Sequence, residues 1–589
     1  MFASNFWKSC ANQEGALLPL VGVIARVLFI GGGGCGKSLV ITRVLTPLLK
    51  TFYGPLGLMI EAASNKAARG VGGITLHAAN KLLGSSSLIT IHLRETKRQK
   101  AAMARYRKLG AKLFDEVSQL NTKLLHADAY CTARSRAGMH SKEATEPPEV
   151  EVERYADYDQ TWGAMPIVGI GGDELQLPPV PMQAGPFAPI EGTSDEQKAA
   201  VKILNTFNHV YRLSTAMRFQ DPVLISILTK MRHQGGRQLS NDEWKALKNT
   251  EISGPDSPKL RGTETWHESA YEWSIVSMAQ ALRSQLSAAE NKRTLFVIQA
   301  EDEYTSALDK KSTAVNLNDT TVRRKISTTV LNHPNMNETG RMPGFALLHI
   351  DMEVRLTQTT ESGIAVTDAT GKVVGIEFDE REPQPHQEAA EKPTSPVIVL
   401  KYMPKAVYLE LDAVEGINPL EKPMIEPRSC SRHAASGFDA QCPDCHSCKN
   451  VVAITPFTNV SPWALEVPFD ERHIAKVKVR RKQLPLTCKN ASTLHVLQGC
   501  TCDPGLIFHW KFPRRLGKDM VWLATYVAIS RVRKLENLRS IGLTEKIKDV
   551  IEAGPPDTIP AMFAKYFGEK EKKTQKDADN FMRLLGWSD

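Results

Sequence analysis

The pattern of apolar and polar positions along the chain predicts an α/β protein that contains a β-rich insertion. An apolar run at 27–30 predicts a buried strand, and after a glycine-rich loop residues 39–41 continue with helical spacing. A second apolar run at 58–60 predicts a further strand. Between 340 and 480 the pattern changes to short strands, one of them at 372–376. We therefore predict helices and parallel strands at both ends of the chain, with a β-rich segment between them.

The α/β pattern returns after residue 485, so the β-rich segment is expected to lie inside a second α/β domain. A chain of 589 residues is also too long for a single core. The predicted boundaries are 1–84 and 109–198 for the first α/β domain, 85–108 for a small basic insertion, 199–335 and 481–553 for the second α/β domain, 336–480 for the β-rich domain and 554–589 for a C-terminal tail.

Composition and charge narrow the class of protein. The net charge is +9, and basic residues cluster in three blocks, at 94–108, 472–482 and 511–518, which favours a polyanionic partner. No stretch reaches the roughly 20 apolar residues of a membrane span. The ten cysteines are clumped rather than spread along the chain, which favours a reducing compartment.

The glycine-rich loop at 31–38 matches the pattern G-x-x-x-x-G-K-[ST] between a strand and a helix. Its glycines allow successive backbone N–H groups to point at a triphosphate, and the helix N-terminus adds positive potential. Lys37 is expected to reach the β- and γ-phosphates and Ser38 to bind Mg²⁺. The alternative is a flexible glycine turn. The predicted nucleotide-binding residues of the loop are Gly31, Gly34, Gly36, Lys37 and Ser38.

Two later segments carry side chains suited to the hydrolysis of a triphosphate. Asp115 and Glu116 follow a short apolar run. Asp115 is expected to hold Mg²⁺, and Glu116 to orient and deprotonate the attacking water. Gln176 follows a buried strand at 166–170, where its amide could detect the γ-phosphate.

Seven segments, in order along the chain, resemble the motifs of superfamily 1B DNA helicases of the PIF/RecD type. This resemblance implies two tandem RecA-like domains with ATP between them, and movement from 5′ to 3′ on single-stranded DNA. It also implies that 85–108 is a wedge-like domain and that 336–480 contains an inserted β-barrel. The segments are 31–38, 62–77 (AASNKAARGVGGITLH), 115–118 (DEVS), 171–180 (GGDELQLPPV), 213–218 (LSTAMR), 491–499 (ASTLHVLQG) and 526–531 (YVAISR).

The same resemblance implies roles for further side chains. Arg218 and Arg531 would reach the phosphates from the second domain, where guanidinium groups stabilise charge on the transferred phosphoryl oxygens. Gln498 and Gly499 would couple the nucleotide to the DNA strand. Four residues are candidates for contact with the backbone of single-stranded nucleic acid, and for the two histidines a place in the core is the open alternative. They are Thr75, His77, Thr493 and His495.

Three features depart from the family pattern or lie outside it. Val496 stands where the family usually has lysine. Cys35 lies in the phosphate loop, where a helix N-terminus beside Lys37 could lower the pKa of its thiol; the alternative is a tolerated small residue. Four residues have the paired spacing of a structural Zn²⁺ site, with a cysteine-rich surface loop as the alternative. They are Cys430, His433, Cys442 and Cys445.

We therefore expect an ATP-dependent 5′-to-3′ DNA helicase that uses ATP and Mg²⁺, with single-stranded DNA and DNA forks as partners and no membrane association. Roles in DNA repair, recombination or telomere maintenance follow from the resemblance. The expected compartment is the nucleus, with the mitochondrion as the alternative. The alternative function is a nucleic-acid-binding protein that does not unwind, a decayed or mobile-element-derived copy of a helicase.

Overall fold

The structure is a computed structural model, and all structural statements below concern the residues that it describes. No helix in this part of the chain is long and apolar enough to cross a membrane. The described residues are 24–80, 105–137, 161–179, 185–186, 195–254, 257–309, 319–360, 365–391, 396–412, 451–459, 462–468 and 474–584.

The first α/β domain is built on a six-stranded parallel sheet with the order β3-β2-β4-β5-β1-β6. Every residue of β2, β4 and β5 is buried, and the charged Glu61 of β2 pairs with Lys112 of β4 at 3.0 Å. Because β6 pairs with β1, the sheet extends past residue 198, the predicted boundary. The strands are β1 (Ala25–Gly31), β2 (Leu58–Ala62), β3 (Ile74–Thr75), β4 (Ala111–Asp115), β5 (Ile167–Gly172) and β6 (His209–Leu213).

Helices connect these strands, and local sequence explains several of their ends. The helix after β1 begins at Lys37, passes through a π-helical stretch at Val40–Leu45 and ends at Gly54, whose φ is 74°. Ser64 caps the next helix by accepting a hydrogen bond from the amide of Ala67 at 3.2 Å. The helices are α1 (Lys37–Leu39), α2 (Thr46–Tyr53), α3 (Asn65–Gly70), α4 (Leu76–Asn80), α5 (Thr122–Ala137) and α6 (Asp195–Asn205).

The second α/β domain is built on a four-stranded parallel sheet with the order β20-β7-β21-β22. Its long helix from Lys518 to Ile529 is buried on every side from Trp522 onward, as its apolar sequence requires. The strands are β7 (His267–Ala270), β20 (Ala491–Thr493), β21 (Leu506–His509) and β22 (Leu538–Ile541). The helices are α7 (Pro222–Met231), α8 (Asn241–Lys248), α9 (Trp273–Glu290), α12 (Lys518–Ile529) and α13 (Glu545–Glu552).

The β-rich part between β7 and β20 contains three further sheets. Their orders are β10-β8-β13, β15-β14-β12-β11-β19, and β16-β18-β17 with β9 paired to β18. These sheets include strands before residue 336 and after residue 480, so the β-rich part is longer than predicted. Its elements are β8 (Leu295–Gln299), β9 (Glu301–Asp309), α10 (Thr320–Leu331), β10 (Phe345–Leu348), β11 (Glu353–Leu356), β12 (Thr370–Glu377), α11 (Gln384–Glu388), β13 (Val397–Val399), β14 (Ala406–Leu411), β15 (Val451–Ile454), β16 (Phe457–Thr458), β17 (Trp463–Pro468), β18 (Ile474–Gln483) and β19 (Leu486–Cys488).

The C-terminal segment, predicted as a tail, returns to the first domain as the helices α14 (Thr558–Phe563) and α15 (Glu569–Leu584). The amide of Val210 in the edge strand β6 donates to Thr574 Oγ1 at 3.1 Å. The Arg212 guanidinium donates to both carboxylate oxygens of Glu571, at 2.7 and 3.3 Å. The helix therefore covers the edge of the first sheet, where unpaired backbone groups would otherwise be exposed.

Candidate active site

The phosphate loop follows β1 and ends in the first turn of α1. Gly34 and Gly36 adopt left-handed φ angles of 79° and 82°, which glycine tolerates best. The Lys37 ammonium lies inside the loop, where it donates to the carbonyls of Gly31 at 2.8 Å and Gly32 at 2.9 Å. The predicted loop thus has the curled backbone and the inward lysine that binding of a triphosphate requires.

The two predicted carboxylates lie at the carboxyl end of β4, next to the loop. Ser38 Oγ donates to Asp115 Oδ2 at 2.8 Å, and the amide of Glu116 donates to Asp115 Oδ1 at 3.0 Å. Burial raises the pKa of Asp115. Burial, and after it the charge of Asp115, raise the pKa of Glu116 from 4.5 to about 7. Ser38 and Asp115 together present hard oxygen ligands suited to Mg²⁺.

Glu116 is held in an unusual position. Its φ is 58°, in the left-handed region that a side chain rarely adopts, and one of its carboxylate oxygens, Oε2, is buried without a hydrogen-bond partner. A Cβ added to Gly499, whose φ is 74°, would lie 3.0 Å from Glu116 Oε1. The glycine at 499 therefore allows the second domain to approach this carboxylate closely.

The segment after β5 contributes Asp173 and Gln176. Although burial opposes it, the guanidinium of Arg232 lowers the pKa of Asp173, and its Nη1 lies 2.7 Å from Asp173 Oδ1. Gln176 is 3% exposed, and its amide oxygen is buried without a hydrogen-bond partner. A buried amide oxygen without a partner is costly, so it is a feature expected of a ligand-binding position.

The two predicted arginines both lie at the phosphate loop, Arg218 in the segment after β6 of the first sheet and Arg531 directly after α12 of the second domain. The Arg218 amide donates to the Gly34 carbonyl at 3.1 Å, and its Nη1 donates to the Ser530 carbonyl at 3.3 Å. A Cβ added to Gly34 would lie 2.6 Å from Arg218 Cβ, and one added to Gly33 would lie 3.4 Å from Arg531 Nη2. The segments at 31–38, 213–218 and 526–531 therefore meet at one place.

Neither of these arginines pairs with a carboxylate in the described part of the chain. Arg531 is fully buried, and its guanidinium donates only to three carbonyls and to the Ser530 hydroxyl. Burial, and after it the charge of Arg531, lower the pKa of Arg218 from 12.5 to about 10. A buried and a half-buried cation beside a phosphate loop, neither with an acidic partner among the described residues, form a site for an anion.

Gln498 links the two domains beside this site. Its Nε2 donates to the carbonyl of Leu177 at 2.7 Å, one residue after Gln176. The segment 491–499 begins in β20 of the second sheet, so a movement of that domain would be transmitted directly to the segment that follows β5.

A cavity of about 420 Å³ lies next to Gln498, between the two domains and the β-rich part. Thr493 and His495 line it as predicted, together with Val496. Lys66 Nζ donates to the Val496 carbonyl at 3.3 Å, so a cation lies beside the position where the family lysine is missing. The basic and aromatic lining residues are Lys66, Arg341, Arg355, Tyr271 and Trp273.

The predicted nucleic-acid contacts are not all found in one place. Thr75 and His77 are absent from the described lining of this cavity. Thr75 Oγ1 instead accepts a hydrogen bond from the Ala78 amide at 3.2 Å, at the start of α4. Burial lowers the pKa of His77 and of His495, and the His495 ring lies 5.6 Å from that of Tyr271.

Two hypotheses about cysteines have different outcomes. Burial raises the pKa of the Cys35 thiol, because desolvation exceeds the effect of Lys37, and this direction favours the alternative, a tolerated small residue. The predicted zinc ligands Cys430, His433, Cys442 and Cys445 lie outside the described residues. Within the described ranges no group of three or more His, Cys, Asp or Glu residues could hold a metal ion, so zinc has no structural support.

No role is assigned from sequence to Tyr526, which lies in the segment 526–531, or to Arg232, which follows α7. The Tyr526 hydroxyl accepts hydrogen bonds from the Gly33 amide at 3.1 Å and from Arg232 Nη1 at 2.8 Å. It donates to Asp173 Oδ2 at 2.9 Å. For Tyr526 the available signal was a polar group in an otherwise apolar segment, which leads to buried hydrogen bonds, whereas the polar sequence around Arg232 carries no such signal.

Comparisons with known proteins agree with this geometry. No family model matches the chain. It is 25% identical over 223 residues to the ATP-dependent DNA helicase PIF1 of Saccharomyces cerevisiae, covering 38% of this chain and 23% of that protein. It is 29% identical over 117 residues to the ATP-dependent DNA helicase PIF1 of Candida albicans, and this alignment covers 20% of this chain and 13% of that protein. The chain thus spans less than a quarter of the length of these curated relatives.

Solved structures share the fold over most of the chain. The crystal structure of the Pif1 helicase from Candida albicans has a TM-score of 0.51 at 19% identity, and it covers 92% of this chain and 95% of that one. The crystal structure of the Pif1 helicase from Bacteroides in complex with ADP-AlF3 and single-stranded DNA has a TM-score of 0.52 at 15% identity. The match covers 92% of this chain and 94% of that chain. The predicted fold, tandem RecA-like domains with a β-rich insertion, is confirmed.

Proposed function

We propose that this chain, which is related in sequence to PIF1-type helicases of superfamily 1B and has their fold, is an ATP-dependent DNA helicase that moves 5′ to 3′ on single-stranded DNA. One observation carries the proposal. Arg531 is buried and Arg218 is half-buried against the phosphate loop, and neither has a carboxylate partner in the described residues. Such a pair fits the phosphates of a nucleotide bound between two domains.

In this proposal Lys37 and the loop amides bind the phosphates of ATP, and Ser38 and Asp115 hold Mg²⁺. Mg²⁺, when bound, supplies positive charge that neutralises the phosphate oxygens. Gln176 accepts a hydrogen bond from the attacking water at its amide oxygen, which has no partner among the described residues, and its amide nitrogen donates to the γ-phosphate. Arg218 and Arg531 stabilise the charge that develops on the transferred phosphoryl group, an effect worth about 10³ to 10⁵ in rate in related systems.

Glu116 is the proposed general base. A catalytic base works best when its pKa lies near the operating pH, and burial brings the pKa of Glu116 to about 7. Its unpartnered oxygen is free to accept a proton from water. Because Gly499 of the second domain packs against the same carboxylate, closure of the domains would shield the reaction from bulk water.

Single-stranded DNA is proposed to bind in the cavity lined by Thr493, His495 and Lys66. Lysine and arginine side chains bind the phosphate backbone, and the rings of Tyr271 and Trp273 provide stacking surfaces for bases. Gln498 lies between this cavity and the segment after β5, so it would couple the DNA strand to the nucleotide. We propose the nucleus as the compartment and DNA repair, recombination or telomere maintenance as the context, with the mitochondrion as the alternative.

The proposal is tested by measuring the rate of ATP hydrolysis with and without single-stranded DNA, in the parent protein and in Lys37→Ala. Lys50→Ala is the matched control, because Lys50 is exposed on α2. We expect strong stimulation by DNA that Lys37→Ala abolishes and Lys50→Ala leaves unchanged. Hydrolysis that is absent, or indifferent to DNA, would overturn the proposed motor.

Strand displacement tests unwinding and polarity. We expect a duplex with a 5′ single-stranded tail to be opened, and one with a 3′ tail to remain closed. Binding of single strands without displacement of either duplex would favour the alternative, a nucleic-acid-binding protein that does not unwind.

A further inference from the structure

The hydroxyl of Tyr526 lies at the centre of a buried hydrogen-bond group that joins both domains. A phenol hydroxyl can donate once and accept twice. Tyr526 uses all three positions: it accepts from the Gly33 amide and from Arg232, and donates to Asp173. Gly33 and Asp173 follow strands of the first sheet, whereas Tyr526 lies on α12 of the second domain.

The surroundings of the ring keep the hydroxyl in place. The ring stacks on Trp522, one turn earlier in α12, at a centroid distance of 5.5 Å and an interplanar angle of 8°. The Arg232 guanidinium lies 5.5 Å from the ring centroid on the side of the phosphate loop. A Cβ added to Gly32 would lie 3.4 Å from the hydroxyl, so the loop backbone is in close contact with it.

The hydrogen bonds fix two groups that ATP hydrolysis needs. The Gly33 amide belongs to the phosphate loop, and Asp173 precedes Gln176 by three residues. If α12 moves away, the Gly33 amide loses its partner, and the buried Asp173 carboxylate keeps Arg232 but loses the hydroxyl. Because both losses occur inside the protein, where an unpaired polar group is costly, the loop and the Asp173 segment are expected to shift together.

We infer that Tyr526 is a positioning residue for ATP hydrolysis, whose hydroxyl aligns the phosphate loop with the Asp173–Gln176 segment only when the second domain is docked. The inference rests on the proposed ATP hydrolysis. It assigns to the tyrosine a role in turnover and not in binding, since the contacts proposed for ATP binding come from Lys37 and from loop amides other than that of Gly33.

Tyr526→Phe tests the inference, because it removes the hydroxyl and keeps the ring that stacks on Trp522. We expect kcat for ATP hydrolysis to fall about tenfold or more, the loss expected for one hydrogen bond to a charged group. KM for ATP and the Kd of a fluorescent ATP analogue are expected to stay within twofold.

Tyr408→Phe is the matched control. Tyr408 is a buried tyrosine of the β-rich part, and its hydroxyl donates to a carboxylate, Glu377 Oε2, at 2.6 Å. Tyr408→Phe therefore also removes a hydrogen bond from a tyrosine hydroxyl to a carboxylate, but outside the phosphate loop. We expect both variants to fold, and only Tyr526→Phe to lose kcat.

Three results would overturn the inference: an unchanged kcat in Tyr526→Phe, an equal fall of kcat in both variants, or a rise of KM at constant kcat. Asp173→Asn is the second variant, which removes the accepting carboxylate instead of the donor. If Tyr526→Phe does not fold, a kcat of Asp173→Asn equal to that of the parent also overturns it. A parent protein that hydrolyses no ATP would instead overturn the proposed function itself.

Discussion

Replacing Glu116 by glutamine is expected to stabilise the protein at alkaline pH while it stops ATP hydrolysis. Glu116 is buried, and burial together with Asp115 raises its pKa from 4.5 to about 7. Its Oε2 atom has no hydrogen-bond partner. The ionised form is therefore unfavourable in the folded protein, and glutamine has nearly the same shape without the charge.

The pKa difference gives the size and the sign of the effect. A folded-state pKa of about 7 against 4.5 corresponds to about 3 kcal/mol. Because the folded-state pKa is the higher one, this stability is present below pH 4.5 and is lost as the pH rises through 7. Between pH 5.5 and pH 8 the parent protein loses about 2 kcal/mol of its free energy of unfolding through Glu116, whereas Glu116→Gln keeps it.

Denaturant unfolding of the parent and of Glu116→Gln at pH 5.5, 7 and 8 measures this difference. Glu61 is also buried, with a pKa raised to about 8, so both proteins lose stability from it over the same range. Only the difference between the two proteins reports on Glu116. Two curves that run parallel from pH 5.5 to pH 8 would refute a raised pKa, and ATP hydrolysis that persists in the variant would refute the role of Glu116 as the base.

Three further perturbations follow from the site and the C-terminal helix. Gly34→Ala is expected to lower ATP hydrolysis more than tenfold, because its Cβ would lie 2.6 Å from that of Arg218. Gly54→Ala, whose added Cβ would have nothing within 4 Å, is expected to cost about 1 to 3 kcal/mol of stability and no activity, because Gly54 has a φ of 74° and a ψ of 170°. Arg531→Lys is expected to lower kcat about 10³-fold with unchanged affinity for an ATP analogue, because lysine lacks the planar guanidinium. A loss of affinity as large as the loss of kcat would contradict this. Arg212→Gln is expected to speed tryptic cleavage in α15 with under about 1 kcal/mol of lost stability, and an unchanged cleavage rate would show that the helix is held by other contacts.

The phosphate loop could be predicted from sequence because its chemistry is local. The strand, the glycines, the lysine and the following helix occupy consecutive positions, and the structure has all of them in that arrangement. The fold class followed from periodicity and from the order of the motifs. The same motifs named Arg218, Arg531 and Gln498, which the structure brings to the loop or to its neighbouring segment.

The boundaries and the contacts between domains were less predictable. The edge strand β6 and the return of α15 to it were not foreseen, because a short strand of mixed polarity and a polar helix carry no signal of the partner that they pair with. Thr75 and His77 were grouped with Thr493 and His495 by resemblance, but within the described residues only the latter pair lines the cavity.

The sequence by itself determined the two α/β domains, the phosphate loop and the types of side chain available for hydrolysis. Tertiary structure decided which of them act together. The Tyr526 hydroxyl and the Gly33 amide are 493 positions apart, and they meet because α12 packs against the loop that follows β1. Periodicity reports which face of an element is buried, but not which element covers it. The joining of polar groups across the two domains is therefore a property of packing.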